Sequence, residues 1–145
     1  MIVTLLKSKA EALTTDGGGW VFAHGDEANR NLVADGVQQK TVQLDYPIKA
    51  THNYTASGGI EFIYPLSVLF LYQSKLDWTM DQHQEVITIC RQAMVEFINA
   101  IKNDRANFEE LTDGSDLEVQ NLFDRNLSGV VFSCKIKLTP ADGFC

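Results

Sequence analysis

The chain holds few of the residues that announce a chemistry. Cysteine occurs three times, as Cys90, Cys134 and Cys145. An odd number at wide spacing is neither a disulfide framework nor a zinc signature. Cys90 and Cys134 fall on apolar patterns, where a free thiol acts as a small hydrophobe. Histidine is equally scarce (His24, His52, His83), and none belongs to an HExxH pair. No apolar run reaches the ~18 residues that a membrane helix needs. Lys7 and Lys9 stand behind the first apolar residues, the reverse of a signal peptide, which predicts an intracellular product. Basic residues are outnumbered 12 to 19 and scattered singly, giving a net charge of −7. A phosphate-binding surface needs clustered Lys and Arg, so gripping nucleic acid is not expected.

What remains is ordinary globular composition, 45% hydrophobic and 21% charged. At 145 residues it predicts a single domain able to bury roughly 70% of its unfolded surface without metal or disulfide.

Ile2, Leu5, Leu6, Ala10 and Leu13 recur near helical spacing and predict a short amphipathic N-terminal helix. Thr14 to Gly19, with three consecutive glycines, reads as a flexible loop. Trp20 to His24 reads as a short strand, and Gly25 to Gly36 as a polar turn or loop. From Thr41 to Tyr46, Val42 and Leu44 alternate with Thr41 and Gln43, the pattern of a strand half exposed to water. Pro47 ends it. Ile48 to Thr55 is a weak strand, and Ser57-Gly58-Gly59 a turn. The apolar stretch Ile60 to Tyr72 predicts a central strand, with Pro65 at a bend or bulge.

Thr79 and Gln82 have the spacing of a capping box, with Asp81 in the first turn. Val86, Cys90, Ala93, Phe97 and Ile101 then repeat at three and four residues, predicting a helix of about 22 residues that ends near Lys102-Asn103. Asn103 to Ser115 reads as a polar link, Leu117 to Phe123 as a strand and Asp124 to Gly129 as a connection. Val130, Phe132, Cys134, Ile136 and Leu138 alternate with polar or smaller partners over a final strand. The expected fold is α+β: an antiparallel or mixed β-sheet with the long amphipathic helix and the short N-terminal helix packed on one face.

Candidate chemistry is thin. His24-Gly25-Asp26-Glu27 sets an imidazole near two carboxylates, as an acid/base group or metal ligand would be, and as a polar turn would be too. Asp81 to Glu85 places His83 among acids in a first helical turn, where acids also complement the helix dipole. Gly17-Gly18-Gly19 lacks the following Lys-Ser/Thr of a phosphate loop. Glu109, Glu110, Asp113 and Asp116 miss the spacing of a calcium loop and read as a solvated linker. No catalytic, cofactor or metal residue is assigned. Trp20 and Trp78 fit core or interface anchoring.

Three stretches together carry a family resemblance. They are Phe22-Ala23-His24-Gly25 with the polar segment to Asp35; Tyr64-Pro65-Leu66-Ser67-Val68-Leu69-Phe70 leading through Leu76-Asp77-Trp78-Thr79 into the long helix; and Asn121 to Val130. In this order the chain, from about Trp20 to Leu138, resembles tail terminator (tail completion) proteins of tailed bacteriophages and prophages. The resemblance implies a non-enzymatic α+β virion protein, made in the host cytoplasm. Such proteins form a ring, often a hexamer, that caps the tail tube and offers a docking face to the neck. DNA passes through as cargo, and neither cofactor nor membrane is involved. The subunit and tube contacts expected on this resemblance are the sheet edges, the loops at Gly17 to Gly19 and Gly25 to Gly36, and Trp20, His24, Asp26, Glu27, Arg30 and Trp78. Other readings are a head–tail connector or neck protein, a small cytosolic ligand-binding or enzymatic domain with a pocket at His24 or His52, and a toxin, antitoxin or host regulator.

Overall fold

A computed structural model describes residues 2–24, 40–45, 48–75, 77–122 and 127–139. Helix α1 (Ile2–Glu11) is followed by a single 3-10 turn (Thr15–Gly17) and strands β1 (Val21–His24), β2 (Lys40–Leu44), β3 (Thr51–Tyr54) and β4 (Ile60–Gln73). The long helix α2 (Met80–Asn103) leads to β5 (Phe108–Leu122) and β6 (Leu127–Leu138). The strands form one mixed sheet in the order β1-β2-β4-β6-β5, with β3 beside β4. Among the described residues only β1 and β2 run parallel; the other pairings are antiparallel. This is the α+β arrangement the periodicities imply, with both helices on one face.

Helix α2 starts where the capping box predicts. The Thr79 hydroxyl accepts from Gln82 N–H, and Thr79 N–H donates to the Gln82 side chain at 2.8 Å. Val86, Cys90, Ala93, Phe97 and Ile101 are all buried, as are Ile87 and Met94. All of these except Val86 meet Leu66, Val68 and Phe70 of β4 and Val130, Phe132, Cys134 and Ile136 of β6 in one cluster that also takes Ile2, Leu6 and Ala10 of α1. Phe97 stands edge-on to Phe70, ring centroids 5.4 Å apart. Lys9 of α1 pairs with Asp104 just past the end of α2 at 2.9 Å.

Several boundaries differ from expectation. The polar stretch after α2 is not a linker: residues 108–122 form β5, an edge strand exposed along nearly its whole length. Its acids Glu110, Asp116 and Glu118 are held by main-chain pairing to β6, which the side-chain pattern does not report. Leu127, Ser128 and Gly129 belong to β6 rather than to a connection. Strand β2 is buried on both faces, because Thr41 and Gln43 lie opposite Leu71 and Leu69 on the side away from the helices. That side has its own small cluster of Leu69, Leu71 and Leu127. Among the described residues the Thr41 Oγ1 and Gln43 Oε1 atoms have no hydrogen-bond partner. Pro47 and the segment from Gly25 to Gly36 lie outside the described residues.

Pro65 makes no bulge, since β4 pairs with β6 in unbroken register from Ile63 to Gln73. Asp45 N–H donates to Ser67 O, so odd-numbered β4 residues aim their main-chain groups toward β2 and β3. Pro65 falls between the β2 and β3 pairings, where its missing donor interrupts neither ladder.

A Cβ on Gly129 would stand 1.9 Å from Phe70 O and 3.1 Å from Cys90 Sγ. Gly129→Ala therefore forces β4, β6 and α2 apart, and its unfolding midpoint should fall well below that of the native chain. Phe97→Ala should cost about 3–5 kcal/mol in denaturant unfolding; a loss below about 1 kcal/mol would place the wrong residue at the centre of the core.

Candidate interaction surface

The predicted contact residues separate on inspection. Trp20 is a core residue, 3% exposed. Its indole N–H donates to Thr15 O at 3.0 Å, and Lys40 Nζ lies 5.9 Å from its ring centre. Full burial removes it from any surface role, a correction to its placement at subunit contacts. His24 is half-buried at the end of β1, with Nδ1 3.4 Å from Leu44 O. Trp78 is half-buried and stacks edge-on with His83 at 5.8 Å. Asp26, Glu27 and Arg30 lie outside the described residues.

The glycine loop reaches the surface, but it is anchored, which corrects its reading as a flexible segment. Glu96, from the middle of α2, accepts from the N–H groups of Thr14 (2.9 Å) and Thr15 (2.9 Å) and from both hydroxyls. One carboxylate thus satisfies the donors that open the 3-10 turn. Asp16, at φ 53, and the three glycines, at φ 78–80, then reverse the chain in left-handed backbone. Burial alone would raise the Glu96 pKa, yet the hydrogen bonds from Thr15 and Thr14 outweigh it and hold the carboxyl below its usual range.

A buried polar cluster went unread in the sequence. His83 Nδ1 lies 3.0 Å from Ser128 Oγ, which lies 3.0 Å from Ser74 Oγ. The Cys90 thiol donates toward Ser128 O at 3.8 Å. Histidine beside serine is the geometry of a base and its nucleophile. Here Ser128 is fully buried, at 0% exposure, and the cluster pins the first turns of α2 to β6. Burial pushes the Cys90 and Cys134 thiols up to about 12, which makes them poor nucleophiles. The acids of β5 are strung along an extended strand, and four of them are shared among three cations. Glu109 pairs with Lys137 at 3.6 Å, Asp113 with Lys135 at 3.2 Å, and Asp116 and Glu118 with Arg91 of α2 at 2.5 and 2.6 Å. No group of three or more potential metal ligands converges among the described residues.

Two cavities are lined by described residues. One of about 180 Å³ sits between the end of α2 and the start of β5, lined by Ile101, Arg105 and Phe108. A more open one of about 300 Å³ lies around Pro65, Ser133 and Lys135.

The most exposed parts of the sheet are two ribbons at its opposite sides. On one side β3 and the start of β4 form a hairpin arm turned at Gly58 (φ 91). The ladder with β6 ends at Ile63, so the arm runs on for roughly 15 Å past it. Thr51, His52, Asn53 and Tyr54 are all exposed, Tyr54 to 75%. His52, Tyr54 and Phe62 make an aromatic cluster on the arm, with the His52 and Phe62 rings 4.7 Å apart. On the other side lies β5, with Leu117 66% exposed. No protein-family model matches the chain, and no curated protein matches it. Among the described residues no helix is long and apolar enough to cross a membrane.

Because the folded Glu96 carboxyl titrates below its ordinary value, its contribution is complete above the usual carboxylate range and is lost as pH falls through the lowered value. Acidification should therefore raise amide exchange at residues 14–19 before the sheet opens. Glu96→Gln should show fast exchange there already at neutral pH; slow exchange in that variant would mean the loop does not depend on this carboxylate.

Proposed function

We propose that the chain is a structural virion protein of the tail terminator type, a ring component that caps a phage tail tube and joins it to the neck. The reading starts from the resemblance carried by residues 20–138, which implies an α+β domain, and the fold is of that class. The observation that carries it further is the unlikeness of the two exposed sides of the sheet. One is an aromatic arm of no net charge and the other an acidic edge strand. A ring needs a heterologous contact, in which two different surfaces of each subunit meet and the rotation closes. Surfaces that differ in shape and charge on opposite sides of one sheet supply that pair.

In this reading the partners are further copies of the chain, the tube below and the neck above. DNA is passing cargo, and a net charge of −7 leaves it ungripped. Neither cofactor nor membrane enters the account, and the protein works in the virion tail after synthesis in the host cytoplasm.

Solution mass by light scattering over a range of concentrations tests this directly. The expected particle is six times the 16.2 kDa chain. Twelve copies would move the assignment to a head–tail connector. A chain that stays monomeric at every concentration would favour a ligand-binding domain instead.

A further inference from the structure

We infer that β3 of one copy pairs in an antiparallel ladder with residues 115–119 of β5 in the next copy, so that the sheet continues from subunit to subunit. The inference rests on the ring reading above and names the contact that makes the ring.

Strand direction is the first support. Along the run β3, β4, β6, β5 each strand is antiparallel to its neighbour, so β3 and β5 point in opposite directions. Two copies placed side by side in the same orientation therefore set β3 of one antiparallel to β5 of the other. No subunit has to be inverted, as cyclic symmetry requires.

Main-chain polarity is the second. Odd-numbered β4 residues aim at β3, so Thr51 and Asn53, paired with Ile63 and Glu61, aim back at β4. The N–H and C=O groups of His52 and Tyr54 then face outward. On the other side, even-numbered β4 residues aim at β6, whose even-numbered residues aim back at β4. Val131 and Ser133 consequently aim at β5 and are answered by Leu117 and Ser115. That leaves Asp116 and Glu118 with outward main-chain groups. The uninterrupted register between the second and third of the three irregularities of β5 spans Ser115 to Val119, long enough for the four residues of β3.

Facing is the third, and it is independent of the second. Asp116 and Glu118 carry their side chains on the helix side, where Arg91 of α2 holds both. His52 pairs with Phe62, in the even-numbered set of β4 that includes the core residues Leu66, Val68 and Phe70, so it too is on the helix side. The outward residues of both edges thus share one face. Pairing His52 with Glu118 and Tyr54 with Asp116 keeps every helix on the same side of a continuing sheet.

Charge selects the partner. Residues 48–63 contain one base, Lys49, and one acid, Glu61, which Lys137 holds at 2.8 Å, whereas residues 108–122 contain five acids and no base. The acids and irregularities of β5 deter a second acidic edge, but they attract an arm bearing Lys49 and His52.

The test is His52→Pro. Proline at this position removes one outward N–H and leaves the inward ladder to β4 whole, so the fold, checked by its unfolding midpoint, should survive. Self-association, read by light scattering or sedimentation, should weaken by about ten-fold or more. His52→Ala, which keeps the N–H, should weaken it by less than about three-fold. If the native chain assembles and His52→Pro assembles equally well, this contact is wrong and the ring reading stands. Equal weakening by both variants would make the contact one of side chains and overturn the ladder. A native chain that remains monomeric throughout overturns both.

Discussion

The structure depends on how closely one helix can lie across two strands. Helix α2 crosses the β4–β6 pair with Phe97 edge-on to Phe70 and Cys90 above Gly129. At Gly129 there is no room for even one carbon more, since a Cβ would stand 1.9 Å from Phe70 O. Close packing of this kind is where a core loses most from a small change in volume. The same crossing fixes the rest: α1 packs beside α2 in one cluster, and Glu96, on the flank of α2, gathers the turn between α1 and β1. His83, four positions into the helix, pins its start to Ser128 of β6.

Because the helices cover only the middle of the sheet, its margins are left to water. The arm and β5 are both ribbons with little of their own to bury, and a two-stranded ribbon is marginal alone. Exposed edges invite indiscriminate pairing unless charge, irregular register or brevity prevents it. Here β5 has charge and irregular register, and β3 has brevity. The protections are unlike, and that makes the edges complementary to each other rather than to themselves. A domain built this way is stable through its centre and specific at its margins.

Much of the centre was legible in the sequence, because burial writes a period. Val86 to Ile101 and Val130 to Leu138 mark α2 and β6 by spacing alone, and Thr79 with Gln82 marks the helix start. The first half of β5 was illegible for the opposite reason, although its second half, from Leu117, reads as a strand. An edge exposed on both faces needs no apolar alternation, so Glu109 to Asp116 read as a linker. Trp20, a core residue, could not be told from an interface anchor. Its burial depends on Thr15 and Lys40, and the turn beneath it on a glutamate 82 positions from Thr14. Ser128 and His83 likewise meet only through the fold. The arm did have a signal, the Ser57-Gly58-Gly59 turn between His52/Tyr54 and Ile60/Phe62, but nothing in it says that both faces stay uncovered.

The central claim is that unlike edges join copies of this chain into a closed ring. Electron microscopy of the purified chain at assembling concentration addresses it most directly, because averaged end-on views show closure and copy number together. The account predicts closed rings of six subunits, each touching its two neighbours through opposite sides. Two-fold dimers in which like edges meet, or single unassembled domains only, would contradict it.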